Sequence, residues 1–226
     1  MNILAFDTSD KVLSVALSVN GSVWHYEVEA EESHSELILE IADSLCKMAN
    51  FDKAELNLAA CMKGPGSFTG LRIGFSTAKG LALALGIPIR AIPTLDCIAH
   101  SYSIWPGLVI PAIDAKKSRF FTAMYRKGKR LNDYCDITPK EIADEVLNKR
   151  HSESEPVLLT GGGAQLLYSS ISTFIPDHTI SIDPNYNSGR AKELLQIVKN
   201  EPKNINNDIN GGPVYLRKSD AELNLK

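Results

Sequence analysis

The strongest constraint on this chain is an order of elements that its sequence runs through twice. Residues 2–7 form a short apolar run that closes on Asp7-Thr8-Ser9-Asp10, whose side chains favour turns. Leu13, Val15, Leu17 and Val19 then alternate, Asn20-Gly21 is a two-residue hairpin signal, and Trp24, Tyr26 and Val28 alternate on the return. Ser33 with Glu36 reads as a capping box opening a helix over 33–49, with Leu37, Ile38, Ile41, Ala42 and Leu45 at helical spacing. A strand over 56–62, a glycine-rich loop over 63–69, a helix over 70–85 closed by Gly86, a strand over 87–92 and a short helix over 94–103 follow.

Trp105-Pro106-Gly107 punctuates the chain, and the order begins again. Leu108 to Ile113 reads as a strand ending at Asp114, Arg119 to Tyr125 as a second, and Arg130 to Ile137 as a third beyond a Lys127-Gly128 turn. Thr138-Pro139-Lys140-Glu141 supplies a cap, a first-turn proline and a capping-box glutamate for a helix to 149. A strand over 157–160, the Gly161-Gly162-Gly163 turn, a helix over 164–174, a strand over 179–182 and a helix over 188–199 complete the second round. A three-stranded meander followed by alternating helices and strands gives a mixed sheet flanked by helices. Two such ribonuclease-H-like halves, 1–104 and 105–226, with a cleft between them describe the actin-like, sugar-kinase and heat-shock-protein architecture. No internal repeat aligns, so this rests on element order and on an aspartate closing the first strand of each half. Pro213-Val214-Tyr215-Leu216-Arg217 in the tail reads as a strand or an extended lid.

Composition sets the limits of function. The chain has 226 residues, 44% of them apolar and 23% charged, enough to bury a real core. A formal charge of −3 supplies no global field to attract nucleic acid, so any RNA contact is local or delivered by a partner. The four cysteines, Cys46, Cys61, Cys97 and Cys135, form no C-x-x-C pair and read as small core hydrophobes in a reducing compartment. Met1 leads directly into Asn2-Ile3-Leu4-Ala5-Phe6-Asp7 with no basic leader, and no apolar stretch reaches the ~18 residues of a membrane span. The expectation is a cytoplasmic protein.

Lys63-Gly64-Pro65-Gly66-Ser67-Phe68-Thr69-Gly70 lies between a strand and a helix, where backbone N–H groups and the helix dipole can hold an anion. It lacks the Walker spacing, and Gly64, Gly66 and Gly70 miss Gly-x-Gly-x-x-Gly by one residue. A tight turn that lets the helix pack closely explains these glycines as well, and spacing alone favours it. Asp7 and Asp114, facing the expected cleft, would hold magnesium-bound phosphates in a nucleotide-hydrolysing protein of this fold, yet capping a turn is the commoner use of such residues. Gly161-Gly162-Gly163 stands where kinases of this fold place an adenosine-binding turn, and a strand-to-helix turn accounts for it equally well. The histidines, His25, His34, His100, His151 and His178, make no metal pair, and His34 and His100 read as surface or satisfied side chains. With no Gly-x-Ser-x-Gly elbow and no His-Glu-x-x-His, peptidase chemistry has no foothold. Between residues 116 and 130 stand Lys116, Lys117, Arg119, Arg126, Lys127, Lys129 and Arg130 with no acidic residue, the one patch suited to tRNA phosphates, although a solvated hairpin is the simpler account.

Five stretches together resemble the TsaB (YeaZ) family, paralogues of the TsaD enzymes. They are Ile3-Leu4-Ala5-Phe6-Asp7-Thr8-Ser9, His34-Ser35-Glu36-Leu37, Gly64 through Gly74 (GPGSFTGLRIG), Ala112-Ile113-Asp114-Ala115, and Pro213-Val214-Tyr215-Leu216-Arg217. The resemblance spans nearly the whole chain, and the Gly64–Gly74 stretch is its most specific part. It implies a part in making threonylcarbamoyladenosine beside the anticodon of tRNAs that read codons beginning with A. In that family TsaD transfers the group using a bound metal, TsaE is an ATPase, and TsaB is TsaD's required companion. The catalytic relatives carry a His-x-x-x-His metal pair, and aligning on Gly86-Ile87-Pro88 puts Thr94 and Ile98 at its two positions. Neither side chain can replace an imidazole on a transition metal.

The resemblance therefore implies a non-catalytic subunit that needs no cofactor of its own, with weak ATP or ADP binding in the complex. Asp7, Thr8, Ser9, Gly64, Gly66, Asp114, Gly161 and Gly162 would be a vestigial or weak nucleotide cleft. TsaB proteins pair with TsaD, and with themselves when alone, through the first-half helices at 33–49 and 70–85. On the residues alone the 70–85 helix could equally be buried between the sheet and a neighbouring element; the resemblance implies instead that His34, Leu37, Ile38, Ile41, Leu71, Gly74, Phe75, Ala78 and Leu81 belong to the partner interface. A bulky charge at Gly74 or Ala78 is expected to abolish pairing and spare the fold. The competing expectation is an active small-molecule kinase or ATPase of the actin-like fold using Asp7, Asp114 and both glycine turns.

Overall fold

A computed structural model describes residues 1–30, 33–175, 179–201 and 207–217. Strands β1 (Ile3–Asp7), β2 (Val12–Val19) and β3 (Ser22–Glu29) form the expected meander, with Asn20 and Gly21 both at positive φ in the turn. Helix α1 (His34–Met48), β4 (Leu58–Gly64), α2 (Phe68–Leu85), β5 (Ile89–Pro93) and α3 (Thr94–His100) follow. Gly86 ends α2 in the left-handed conformation, where its missing Cβ removes the steric penalty. The five strands lie in the order β3-β2-β1-β4-β5, antiparallel across the meander and parallel from β1 through β5.

The second round repeats this order. Strand β6 (Leu108–Asp114) pairs antiparallel with β7 (Phe120–Thr122) and parallel with β11 (Val157–Thr160), giving β10-β7-β6-β11-β12, where β10 is Cys135–Ile137 and β12 is Ile180–Ile182. The expected second and third strands are interrupted. Each is split by a small hairpin of β8 (Tyr125–Arg126) and β9 (Lys129–Arg130), with Lys127 and Gly128 at positive φ in its turn. Helix α4 (Pro139–Lys149) has its capping box on Thr138 and Glu141, and α5 (Ala164–Ile171) follows the triple glycine. These duplicated 3-2-1-4-5 sheets flanked by helices are the actin-like fold.

Two compact units emerge, and their boundary differs from the expected division at 104/105. One unit holds Met1–Cys97 with Gly189–Tyr215, the other Ile98–Ser188 with Leu216 onward. Alternation in the first unit's sheet explains why α6 (Ala191–Asn200) belongs to it. Leu4 and Phe6 of β1 face the core built with α1 and α2, whereas Ile3 and Ala5 face the opposite side with Leu58, Ala60 and Met62. That second face is closed by Leu194, Leu195 and Val198 of α6. A sheet apolar on both sides needs cover on each, and from the helices of the first 104 residues this second face receives Leu71 of α2 and Cys97 of α3, leaving α6 to supply most of its cover. In the second unit, β6 and β11 pack on Ile142, Ala143 and Val146 of α4 and on Leu167 and Ile171 of α5.

Two local expectations also change. Ser33 stands at the N-cap of α1, but its side chain caps nothing there, so no capping box forms. The 213–217 segment forms no strand and bends at Leu216 and Arg217, and residues 218–226, like His178, lie outside the described residues. Because α6 completes the first unit, a fragment of residues 1–104 should fail to unfold cooperatively and should bind a hydrophobic dye. In the full chain, Leu194→Ala should cost about 2–5 kcal/mol in urea unfolding.

Candidate functional site

The turn after β1 is held by its own carboxylate. Asp7 Oδ1 accepts from Ser9 N–H at 2.9 Å and from Ser9 Oγ–H at 2.6 Å. Its Oδ2 accepts from the backbone N–H of Arg190 at 2.9 Å, at the start of α6. Neighbouring donors there are taken as well: Gly189 N–H by Glu27 Oε2 at 3.2 Å and Ala191 N–H by Ser14 Oγ at 3.4 Å. Side chains of β1, β2 and β3 thus meet the first donors of α6, which a helix cannot satisfy internally. Sequence reasoning found Asp7 but missed Gly189, Arg190 and Ala191, whose link to it spans 183 residues and leaves no local signal.

Close packing accounts for the glycines of the β4–α2 loop. A Cβ at Gly66 would come within 2.5 Å of the Ser9 carbonyl oxygen, and one at Gly70 or Gly74 would collide with the Thr8 carbonyl or hydroxyl. Two of the loop's donors are engaged within the unit. Ser67 N–H donates to Ser9 O at 2.7 Å, Gly70 N–H to Ser67 Oγ at 3.2 Å, and Thr8 Oγ–H to Gly70 O at 2.7 Å. Gly64, at φ +106°, lies under the Val214 carbonyl, and Val214 N–H donates to Lys63 O at 2.7 Å.

The second unit uses its equivalents similarly. Cβ atoms at Gly161 and Gly163 would press on the Ala112 carbonyl at 2.7 and 3.0 Å, while Gly162 is exposed. Asp114 accepts from Lys116 N–H at 2.7 Å and pairs with Lys116 Nζ at 2.8 Å. Partial burial pushes its carboxyl up, but the Lys116 bonds and charge outweigh this and hold it below the usual range. Lys116, Lys117 and Ser118 all take positive φ, a left-handed run that costs about 1 kcal/mol or more per residue.

Thr94 and Ile98, which the resemblance aligns with a histidine metal pair, do not fit a metal. Thr94 and Ile98 are both buried on α3, and the Thr94 hydroxyl has no hydrogen-bond partner among the described residues. Among the described residues no group of three or more His, Cys, Asp or Glu is arranged to hold an ion. Burial pushes the Cys61 and Cys97 thiols well above their ordinary value, away from nucleophilic thiolate.

Burial redraws the expected partner face. His34, Ile38, Ile41, Leu71, Gly74, Phe75 and Ala78 are buried, and Leu37 and Leu81 are half-buried. His34 Nε2 lies 3.1 Å from the Lys11 carbonyl, a satisfied core histidine. Charges at Gly74 or Ala78 would therefore break the fold, contrary to expectation. The outward stripe of α2 runs Arg72, Ser76, Gly80 and Leu83, flanked by half-buried Ile73 and Thr77. Leu83 is 66% exposed, and on α1 Leu39 and Met48 are 59% and 71% exposed.

The basic segment is largely neutralised. Arg119 pairs with Asp136 at 3.0 Å, Arg126 with Glu155 at 2.9 Å and Lys116 with Asp114, while Arg130 lies 4.0 Å over the Tyr134 ring. Lys127 and Lys129 are exposed at the hairpin tip, and Lys117 and Arg130 are exposed as well.

With this geometry in hand, comparison with known proteins places the chain. A family model described as "TsaD: tRNA N6-adenosine threonylcarbamoyltransferase" matches residues 28–224. The Escherichia coli "tRNA threonylcarbamoyladenosine biosynthesis protein TsaB" is 32% identical over 72% of this chain and 71% of its own. The chain belongs to the TsaB family. The Bacillus subtilis protein of the same name is 29% identical over 98% of this chain and 96% of its own. A Pseudomonas aeruginosa crystal structure, described as similar to the peptidase YeaZ, superposes with a TM-score of 0.78 at 24% identity, covering 96% of this chain and 99% of that one. The family's biosynthetic role in tRNA threonylcarbamoyladenosine therefore applies to this chain. No helix among the described residues is long and apolar enough to cross a membrane.

Two measurements test the packing account. Gly70→Ala should destabilise by about 1–3 kcal/mol, whereas Gly80→Ala, in open space on the same helix, should stabilise by about 0.5–1 kcal/mol in urea melts. Burial pushes Glu155 up, but bonds from Arg126 and the His151 backbone bring it net below its usual range. Its contribution is thus complete above the ordinary glutamate value and is lost as pH falls through the lowered one. Glu155→Gln should flatten stability against pH in that acid window.

Proposed function

We propose that this chain is a non-catalytic companion in the formation of threonylcarbamoyladenosine on tRNA. It would activate a TsaD-like transferase through the outward face of α1 and α2, beside a TsaE-like ATPase. One observation supports the reading: Thr94 and Ile98, which the resemblance sets at the two positions of a metal-binding histidine pair, are both buried. A carbon-rich side chain and an alcohol offer a transition metal no strong ligand.

The rival reading, a small-molecule kinase or ATPase, asks Asp7 to hold a magnesium-bound phosphate. Both its oxygens are instead engaged by backbone and hydroxyl donors of its own unit. Engaging a phosphate there would break the tie to α6. On this reading the chain alone requires no cofactor and binds ATP or ADP weakly, in the assembled complex. A homodimer formed by the isolated chain would use the same helical face. Contact with tRNA would occur only within the complex, through the 116–130 segment, where Lys117, Lys127, Lys129 and Arg130 are exposed.

The outward stripe supports this assignment of the face. Leu83, Leu39 and Met48 are exposed apolar side chains, and Gly80 permits close helix approach. Leu83→Asp should lower affinity for the TsaD-like subunit by about tenfold or more with unchanged thermal stability. Reconstituted tRNA modification should require the wild-type chain and fall in parallel with that affinity. Brisk ATP turnover by the isolated chain would instead establish the kinase reading.

A further inference from the structure

Arg72 occupies the outward stripe of α2, one turn before Ser76, and its guanidinium is held in one plane. Its carbon Cζ lies 3.8 Å from the centre of the Phe68 ring, and its Nε–H donates to the Tyr215 hydroxyl at 3.2 Å. Tyr215 in turn stacks on Phe68 with ring centroids 4.6 Å apart. The two terminal amino groups of Arg72 make no hydrogen bond or ion pair among the described residues. An exposed arginine ordinarily loses much rotamer freedom when it binds, and here that ordering is already done by two aromatic side chains.

Tyr215 is itself brought there by a strap of the tail. Asn207 and Asp208 side chains accept from the backbone N–H groups of Ile89 and Ala91, at 3.1 and 3.0 Å, on the edge of β5. Arg90 pairs with Asp208 at 2.8 Å and with Glu201, fixing the same stretch. Val214 then bonds Lys63, and Tyr215 follows. The segment ends on polar ties with Val214 and Tyr215 43% and 38% exposed, so it is positioned rather than buried.

We infer that Arg72 is a preorganised fork that receives a carboxylate of the TsaD-like partner, and that Tyr215 is its positioning residue. This rests on the reading of α1 and α2 as the partner face. A planar end with two parallel donors matches a carboxylate in bidentate fashion. The neighbourhood favours a protein carboxylate over an RNA phosphate. Thr69, Ile73, Ser76, Gly80 and Leu83 are uncharged and half-buried Lys79, two turns on, is the one other cation of α2, whereas nucleic-acid binding draws on several cations together.

The test measures calorimetric affinity of the full-length chain for the TsaD-like subunit, with melting temperature as a control for folding. Arg72→Lys keeps the charge and removes the fork, and should weaken binding by about tenfold. Tyr215→Phe keeps the ring and removes the acceptor. It should weaken binding by about threefold in the wild type and not at all in the Arg72→Lys background, the non-additivity of two residues acting as one. If both variants bind like wild type while Leu83→Asp does not, the fork is refuted and the face reading survives. If Leu83→Asp also binds like wild type, both fall. If Arg72→Lys weakens only tRNA binding by the assembled pair, the occupant is a phosphate and the carboxylate assignment is overturned.

Discussion

The first unit depends on the contact between the Asp7 carboxylate and the start of α6. A buried carboxylate is costly unless its oxygens are met, and here three donors meet them, one from 183 residues away. That bond fixes where α6 begins, with Glu27 and Ser14 meeting the flanking N–H groups. Leu194, Leu195 and Val198 then fall on the apolar side of the sheet opposite the main core with α1 and α2. The adjoining Thr8 and Ser9 are the surface on which Gly66, Gly70 and Gly74 close. One short turn therefore anchors a helix on each face of the sheet. A side chain that a kinase of this fold would turn toward a phosphate is committed to architecture.

The second unit meets the same problem with a looser solution. Its glycines 161 and 163 close on Ala112 and Asp114 much as the first unit's close on Thr8 and Ser9. Asp114, however, among the described residues bonds only the residue two positions on, both through its backbone and through its ammonium group. The left-handed run over 116–118 returns the chain within this short span, closed by Arg119 N–H donating to Lys116 O at 3.1 Å. Local bonds to a half-exposed carboxylate stabilise less than the buried, three-donor arrangement at Asp7. The two aspartates stand at equivalent places in the duplicated order and have diverged in what they hold.

Most of this fold was legible in the sequence because period and turn chemistry are local. Asn20-Gly21, Lys127-Gly128, Gly86 and the Thr138 capping box all formed where the residues indicated. Ser33-x-x-Glu36 carries the same pattern as Thr138-x-x-Glu141 and makes no box, since a side-chain cap also depends on the backbone entering the helix at the right angle. Ownership of α6 was not legible, because which sheet face a helix covers is settled by tertiary burial. The helical faces were misassigned for a related reason. Apolar and small residues surround α2 on nearly every side, so composition could not separate the buried Gly74, Phe75 and Ala78 from the outward Gly80 and Leu83. Arg72 escaped notice because its partner Tyr215 is 143 residues distant.

The glycines that most resemble a nucleotide motif are each accounted for by close packing. Three of them, 66, 70 and 74, lie within one loop and the first turns of α2, and each answers to an atom of Thr8 or Ser9. Their spacing follows the path of a helix start crossing a turn, which is why it misses the phosphate-binding pattern by one residue. The same close approach presses α2 against the sheet and turns Arg72, Ser76, Gly80 and Leu83 outward together. On the reading proposed here, the glycine loop serves recognition by setting the rotation of a helix. Its sequence is specific because a Cβ at any of these three positions would push that helix away from the turn that orients it.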